Sequence, residues 1–222
     1  RYRPNDSQYT RDVWMKDSMT DLGHASGHGR FVHLYYNGLY FGVHDLTERI
    51  EDDWYAEHLG GREEDWKVNK DHAVTEARSR WNAMSNLLSS NITDDSVYEQ
   101  VKDYLDLDNY IDYMFLHFYA DAEDWPAKNG YGAVNEISGD GKFRFQVWDQ
   151  EIALDKFSWN RYNSSSAAGG PFQRLRRNDE FLLLFADRVH KHMFNGGALS
   201  ESESVARYRK ISDEIDKAIV AE

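Results

Sequence analysis

The stretch that decides the fold of this chain is LDNYIDYMFLHFYADAEDWPAKNGYG, residues 107–132. In its first half, apolar residues recur at steps of three and four, which predicts a buried helix with Asp108 as its N-cap. The polar run that follows contains Asp124, Pro126 and Asn129, and the proline ring restricts backbone rotation there. We therefore expect a helix that leads into a loop, with the Asp124 carboxylate held outward and Asn129 returned beside it.

Two strand-like segments follow this loop, at residues 130–137 and within KFRFQVWD, residues 142–149. A hairpin of this kind brings Asp149 back beside Asp124. A site for phosphoryl transfer needs a carboxylate near the attacking hydroxyl and oxygen ligands for a metal ion. The order Asp124-x-x-x-x-Asn129, hairpin, Asp149 and then Glu151 supplies both. The alternative is that these residues only cap helices and turn the chain.

Upstream, an aromatic-rich alternating run is split by Asn37-Gly38, a strong hairpin signal because both residues tolerate positive φ. The pattern predicts strands at 30–36, 39–46 and 66–70, and helices at 51–59, 74–88 and 95–104. Downstream, a loop rich in Ser, Gly and Ala at 157–171 precedes predicted helices at 172–194 and 202–221.

Composition excludes several classes of protein. The 222 residues contain no cysteine, which rules out disulfides, thiolate zinc sites and a cysteine nucleophile. A net charge of -13 argues against nucleic acid as a partner, and the carboxylates suit hard cations. The longest apolar runs, such as residues 181–186, are far shorter than the roughly 20 residues of a membrane span. Because the chain begins at Arg1 without a Met, we interpret it as a processed or trimmed fragment, so that any export signal would have preceded Arg1.

Three segments together resemble the CotH-type spore-coat protein kinases. NYIDYMFLHFYADAEDWPAKNGYGAVNE at 109–136 and GKFRFQVWDQEIAL at 141–154 are similar to the catalytic half of that family, and YYNGLYFGVHDLTERI at 35–50 is similar to its other signature. The resemblance implies an α+β, atypical protein-kinase-like fold. It would form a single domain over 1–222, with a β-rich N-terminal lobe to about residue 92 and a mainly helical C-terminal lobe from 93.

The resemblance also implies an activity and its residues. The family transfers the γ-phosphoryl of ATP to Ser or Thr of secreted, cell-surface or spore-coat proteins. By this resemblance, Asp124 is the catalytic-loop aspartate, and Asn129 and Asp149 are metal ligands. Glu151 joins them directly or through water. The expected cofactors are ATP with Mg²⁺ or Mn²⁺, with Ca²⁺ as a further candidate. WDQE lacks the second aspartate of the W-D-x-D version, which leaves the number of metals open.

The nucleotide side of the expected site rests on Lys70 and Glu48, which match family positions for a lysine on the phosphates and its orienting glutamate. Glu48 precedes Lys70, the reverse of the usual kinase order. A solvated strand edge is the alternative use of such a lysine. No G-x-G-x-x-G loop is present, and residues 23–30 are a rough substitute for it. Residues 157–170 correspond to the activation segment.

Two other functions stay open at this point. One is a non-catalytic extracellular binding or adhesion module with the same fold, and the other is a carbohydrate-active enzyme that uses paired carboxylates. A serine hydrolase lacks its G-x-S-x-G motif, and zinc lacks HExxH. Loop and strand-face roles are favoured for the four histidines that suggest zinc, His24, His28, His33 and His44.

Overall fold

The computed structural model describes residues 9–70, 76–155 and 160–219. About half of the chain is helical, and the strands form small antiparallel sheets, so the fold is α+β as expected. The helices are α1 (Tyr9–Asp21), α2 (Asp52–Leu59), α3 (Arg78–Ser89), α4 (Asp95–Val101), α5 (Leu107–Ala120), α6 (Gly169–Leu175), α7 (Asp179–Met193) and α8 (Glu201–Ile219). The strands are β1 (Gly29–Tyr36), β2 (Leu39–Thr47), β3 (Trp66–Lys70), β4 (Gly130–Asn135) and β5 (Arg144–Val147).

The first two strands form a separate antiparallel hairpin. Tyr36 pairs with Leu39, and the two residues between them, Asn37 and Gly38, have φ of 49° and 81°. This left-handed turn is the one that the Asn-Gly pair predicts. Most side chains of the hairpin are exposed on both faces.

The other three strands form an antiparallel sheet in the order β3-β4-β5. Lys70 lies opposite Tyr131, and Gly130 lies opposite Val147. The carboxyl end of β3, the amino end of β4 and the carboxyl end of β5 therefore share one edge of the sheet. Lys70, Asn129 and Asp149 lie at or next to these strand ends, because neighbouring strands of the sheet run in opposite directions.

Helix α5 lies at the centre of the main hydrophobic core. Its side chains at Tyr110, Ile111 and Met114 are fully buried, as the stripe of steps of three and four predicts. Helix α1 packs against α5 and against α8 at the far end of the chain. A smaller cluster lies between α2 and the three-stranded sheet. Within the described residues, no helix is both long and apolar enough to cross a membrane.

Several predicted boundaries were wrong. The N-cap of α5 is Asp106, whose carboxylate accepts a hydrogen bond from Asn109 N at 3.2 Å, and Asp108 lies in the first turn. The expected helix over 172–194 is divided, because buried Asn178 caps α7 and donates to the carbonyl of Ile92 at 3.1 Å. Helix α4 ends at Val101 instead of residue 104.

Some predicted elements extend beyond the described residues. The helix expected at 74–88 begins at Arg78, after a bend at residues 76–77, and its expected residues 74–75 lie outside the described part. The end of the helix expected at 202–221 and residues 157–159 of the predicted loop also lie outside it.

Candidate functional site

The edge of the three-stranded sheet holds three of the residues singled out from the sequence. Lys70 is the last residue of β3, Asn129 directly precedes β4, and Asp149 follows β5 after one intervening residue, Trp148. Trp148 stacks on Tyr131 with ring centroids 5.1 Å apart. Residues from three distant parts of the sequence are therefore brought together.

Asn129 and Asp149 are joined by a direct hydrogen bond. The Asn129 side-chain amide donates to the carbonyl oxygen of Asp149 at 2.8 Å. Both residues have left-handed backbones, with φ of 58° and 55°. Asn and Asp tolerate this region better than other non-glycine residues. Their identity thus suits both the backbone and the oxygen donors that a metal ion needs.

Asp149 and Glu151 form a carboxylate pair at the same edge. The charge of the Asp149 carboxylate acts on Glu151, two residues away in the sequence. Burial raises the pKa of Glu151 to about 7, and the charges of Asp149 and Asp12 act in the same direction. The Glu151 Oε2 atom is buried and has no hydrogen-bond partner within the described part of the chain.

This pair fits a hard divalent cation. A cation would remove the repulsion between the carboxylates and give the buried Glu151 oxygen a partner. Within residues 9–70, 76–155 and 160–219, no cluster of three or more His, Asp or Glu side chains is arranged to hold a metal. The fit therefore rests on Asp149 and Glu151 from the protein, with Asn129 beside them and further ligands from substrate or water.

Asp124 lies in the loop between α5 and β4. Its carboxylate is partly exposed and forms no hydrogen bond or ion pair with any residue that the structure describes. The next residue, Trp125, is 1% exposed and donates from its ring nitrogen to the Tyr113 hydroxyl at 2.7 Å. The Trp125-Pro126 peptide bond is cis. The buried tryptophan therefore anchors the loop on α5 and leaves the adjacent carboxylate accessible.

Lys70 contacts Glu51 in this structure, whereas the sequence led us to expect Glu48 as its partner; the role of Glu48 at the nucleotide stays a prediction. Lys70 Nζ contacts Glu51 Oε1 at 2.5 Å and lies 5.6 Å from the centre of the Tyr131 ring. Glu51 also receives an ion pair from Arg49 at 2.7 Å. Burial lowers the pKa of Lys70, but the hydrogen bond that Lys70 donates to Glu51 and the charges of Tyr131 and Glu51 together outweigh it, so the net direction is upward. The lysine is therefore held in its charged form, by a different glutamate.

Glu48 instead organises the segment before the hairpin. Its Oε2 accepts hydrogen bonds from the backbone N–H of His28 at 2.8 Å and from the ring nitrogen of Trp54 at 3.0 Å. Burial raises the pKa of Glu48, but these two hydrogen bonds and the charges of His58 and His28 together outweigh it, so the net pKa is lowered. Residues 23–30 are the expected substitute for a glycine-rich loop. Within them, the backbone N–H of His28 already donates to Glu48 and is therefore not available to a phosphate.

Sequence reasoning missed two residues of α1 that support the site. Asp12 accepts a hydrogen bond from the backbone N–H of Gln150 at 2.8 Å. Lys16 is 3% exposed, forms an ion pair with Asp12, and lies 5.8 Å from the centre of the Trp148 ring. In the sequence, these two residues read as an ordinary surface pair at i and i+4. Only the packing of α1 shows that they hold the segment around Asp149.

A comparison with known protein families shows which family the chain belongs to. The family described as CotH kinase protein matches residues 3–196. The chain belongs to this family. The matched range includes every residue placed at the site, from α1 to Glu151. No curated protein matches the chain significantly. The CotH resemblance seen in the sequence is therefore confirmed at the level of the family.

Proposed function

We propose that this CotH family member is an ATP- and metal-dependent protein kinase that transfers the γ-phosphoryl group to Ser or Thr of extracellular or coat proteins. The observation that carries the proposal is the edge of the sheet, which holds both the accessible Lys70 ammonium and a carboxylate pair, one of whose buried oxygens has no hydrogen-bond partner among the described residues. Opposite charges arranged in this way suit a nucleotide phosphate chain with its cation.

The residues of the proposed site have three roles, which are to orient the acceptor hydroxyl, to hold the metal ion and to position the phosphates. Asp124, unpaired and accessible, orients the acceptor hydroxyl and receives its proton as the oxygen attacks the γ-phosphorus. Asp149 and Glu151, with Asn129 beside them, would hold Mg²⁺ or Mn²⁺, which supplies charge neutralisation for the phosphates. The bond from the γ-phosphorus to its bridging oxygen breaks, and ADP leaves.

Lys70 positions the phosphates on this proposal, and its orienting glutamate is Glu51. Glu48 acts indirectly, because it fixes the backbone of residue His28 near the start of the hairpin. In this arrangement, residues 1–92 act as the N-terminal lobe and residues 93–222 as the C-terminal lobe of one kinase-like domain. The spore-coat association of the family supports an extracellular or coat location for the acceptor.

Nucleotide binding and phosphotransfer test the proposal separately. We expect ATP with Mg²⁺ at about 100 times its Kd to stabilise the protein by about 2.7 kcal/mol, and chelation to abolish this effect. Asp149→Ala removes the shift, whereas Asp213→Ala, an exposed aspartate on α8, retains it. Asp124→Asn retains the nucleotide shift and loses transfer of labelled phosphate to a Ser/Thr acceptor.

The opposite results select the other functions. A nucleotide shift without turnover in the wild-type protein would leave a non-catalytic binding module. The absence of any nucleotide shift, with hydrolysis of a glycoside that depends on Asp149, would favour a carbohydrate-active enzyme.

A further inference from the structure

A cavity of about 700 Å³ lies on the opposite face of the three-stranded sheet from the Lys70 side chain. Successive side chains of a strand point to opposite faces. Lys70 contacts Glu51 on one face, whereas the preceding residue, Asn69, lines the cavity on the other. Helix α3, the sheet and the segment from Ser165 into α6 enclose this space.

The inner wall of the cavity is aromatic. Trp81 from α3 packs edge-on against Phe143 at 5.3 Å and Phe145 at 6.5 Å between ring centroids, and all three rings line the space. Gly132, opposite Phe145 in the sheet, adds no side chain to the floor. A surface of this kind favours a flat apolar group, which stacks on or against the rings.

Asn69 gives the cavity an unsatisfied polar group. The residue is 7% exposed, and neither its side-chain oxygen nor its side-chain nitrogen has a hydrogen-bond partner among the residues that the structure describes. A buried amide without partners costs free energy, so such groups are normally paired with protein, water or ligand. The amide offers both a donor and an acceptor to a ligand.

Two arginines supply positive charge to the same cavity. Arg174 and Arg177 line it from α6 and the residues just after that helix, and both are exposed. Neither guanidinium forms an ion pair or a hydrogen bond with any part of the chain that the structure describes. In a protein with 39 acidic and 26 basic residues, two unpaired guanidinium groups at one cavity are notable. They suit an anion such as a phosphate or carboxylate.

We propose that this cavity is a second binding site, separate from the edge that holds Lys70 and Asp149, for an anionic ligand with a flat apolar body. The aromatic wall takes the flat group, Asn69 hydrogen-bonds its polar edge, and Arg174 and Arg177 bind the anion. The ligand chemistry is that of an aryl phosphate, either as a free small molecule or on a protein side chain. The proposal does not require kinase activity.

Calorimetry with three probes tests whether both parts of the ligand are needed. 1-Naphthyl phosphate carries the flat group and the anion, 1-naphthol carries only the flat group, and inorganic phosphate carries only the anion. We expect the first to bind at least about tenfold more tightly than either of the others, because a charged hydrogen bond contributes about this much. Equal affinity for 1-naphthyl phosphate and inorganic phosphate, or no binding at millimolar concentration, would overturn the proposal.

Variants locate the binding. The double variant Arg174→Ala/Arg177→Ala should weaken 1-naphthyl phosphate by about tenfold or more and leave 1-naphthol unchanged. Arg209→Ala, an exposed arginine on α8, is the matched control and should change neither. Asn69→Leu should raise the melting temperature, because it removes the orphaned amide, and yet weaken 1-naphthyl phosphate. Unchanged affinity in both cavity variants would overturn the assignment.

Competition distinguishes this site from the nucleotide site and identifies the source of the ligand. Saturating ATP with Mg²⁺ should leave the affinity for 1-naphthyl phosphate unchanged. If ATP displaces the probe and the double arginine variant also loses ATP binding, the cavity is the nucleotide site and the proposal of a second site is wrong. Binding of a phosphotyrosine peptide as tightly as the free probe assigns a protein-borne ligand, whereas its exclusion assigns a small molecule.

Discussion

Replacement of Glu151 by glutamine should stabilise the metal-free protein at alkaline pH. Burial and the neighbouring Asp149 raise the pKa of Glu151 to about 7, from 4.5. Between these two values the folded protein binds a proton that the unfolded chain does not. Stability from this group is therefore complete below about pH 4.5 and is lost as the pH rises to about 7.

The size of the effect follows from the same difference in pKa. Without screening by solvent, the change in the pKa of Glu151 from 4.5 to about 7 corresponds to about 3.4 kcal/mol of unfolding free energy. Solvent screening at this partly exposed position reduces it to about 1–2 kcal/mol. For a chain of this size, that is about 2–8 °C in melting temperature. Glu151→Gln keeps the size and shape of the side chain and removes the charge, so it should recover this amount at pH 8 and almost nothing at pH 4.5.

Thermal unfolding at both pH values, with chelator and with Mg²⁺, measures the prediction. Exposed Glu57→Gln on α2 is the control and should have no pH-dependent effect. Saturating Mg²⁺ should stabilise the wild-type protein most at pH 8, where no proton competes for the site, and should have little effect on Glu151→Gln. An equal effect of Glu151→Gln at the two pH values would refute the carboxylate pair.

Three further predictions concern the residues around the site. Glu51→Gln should weaken ATP binding more than Glu48→Gln does, because Glu51, and not Glu48, contacts Lys70. A larger effect of Glu48→Gln in calorimetry would support the pairing expected from the sequence. Trp125→Phe should cost about 1–2 kcal/mol of unfolding free energy, because it removes the buried hydrogen bond to Tyr113, and an unchanged denaturant midpoint would contradict that anchor. Lys16→Met should cost about 3 kcal/mol in the same assay, because it leaves a partly buried carboxylate unpaired; a cost below about 1 kcal/mol would refute a structural role for this ion pair.

Local signals in the sequence were sufficient for most of the elements. The Asn37-Gly38 turn, the strand of residues 66–70 and the apolar stripe of α5 are each confirmed within one or two residues. Each depends on neighbours in the chain, through backbone preference at the turn and side-chain period in the strand and helix. The position of Asp149 just after a returning strand was predicted in the same way.

Boundaries failed where contacts distant in sequence competed with local preference. The segment LDLDNY offers two aspartates as N-caps, and its local pattern does not choose between them. The backbone of residues 104–106 pairs with Phe143, which holds Asp106 outside the helix and makes it the cap. Asn178 divides α6 from α7 for a similar reason, since its side chain is committed to the carbonyl of Ile92.

The sequence by itself determined the order of the elements, the family and the acidic character of the predicted site, because motif spacing and hydrophobic period are properties of neighbouring residues. The tertiary structure decided which charges meet. It pairs Lys70 with Glu51, places Lys16 beneath Trp148, and leaves the Asn69 amide unsatisfied in a cavity. These contacts depend on how α1, α2 and the sheet pack. Local sequence patterns do not show which side chains that are far apart in the chain will come into contact.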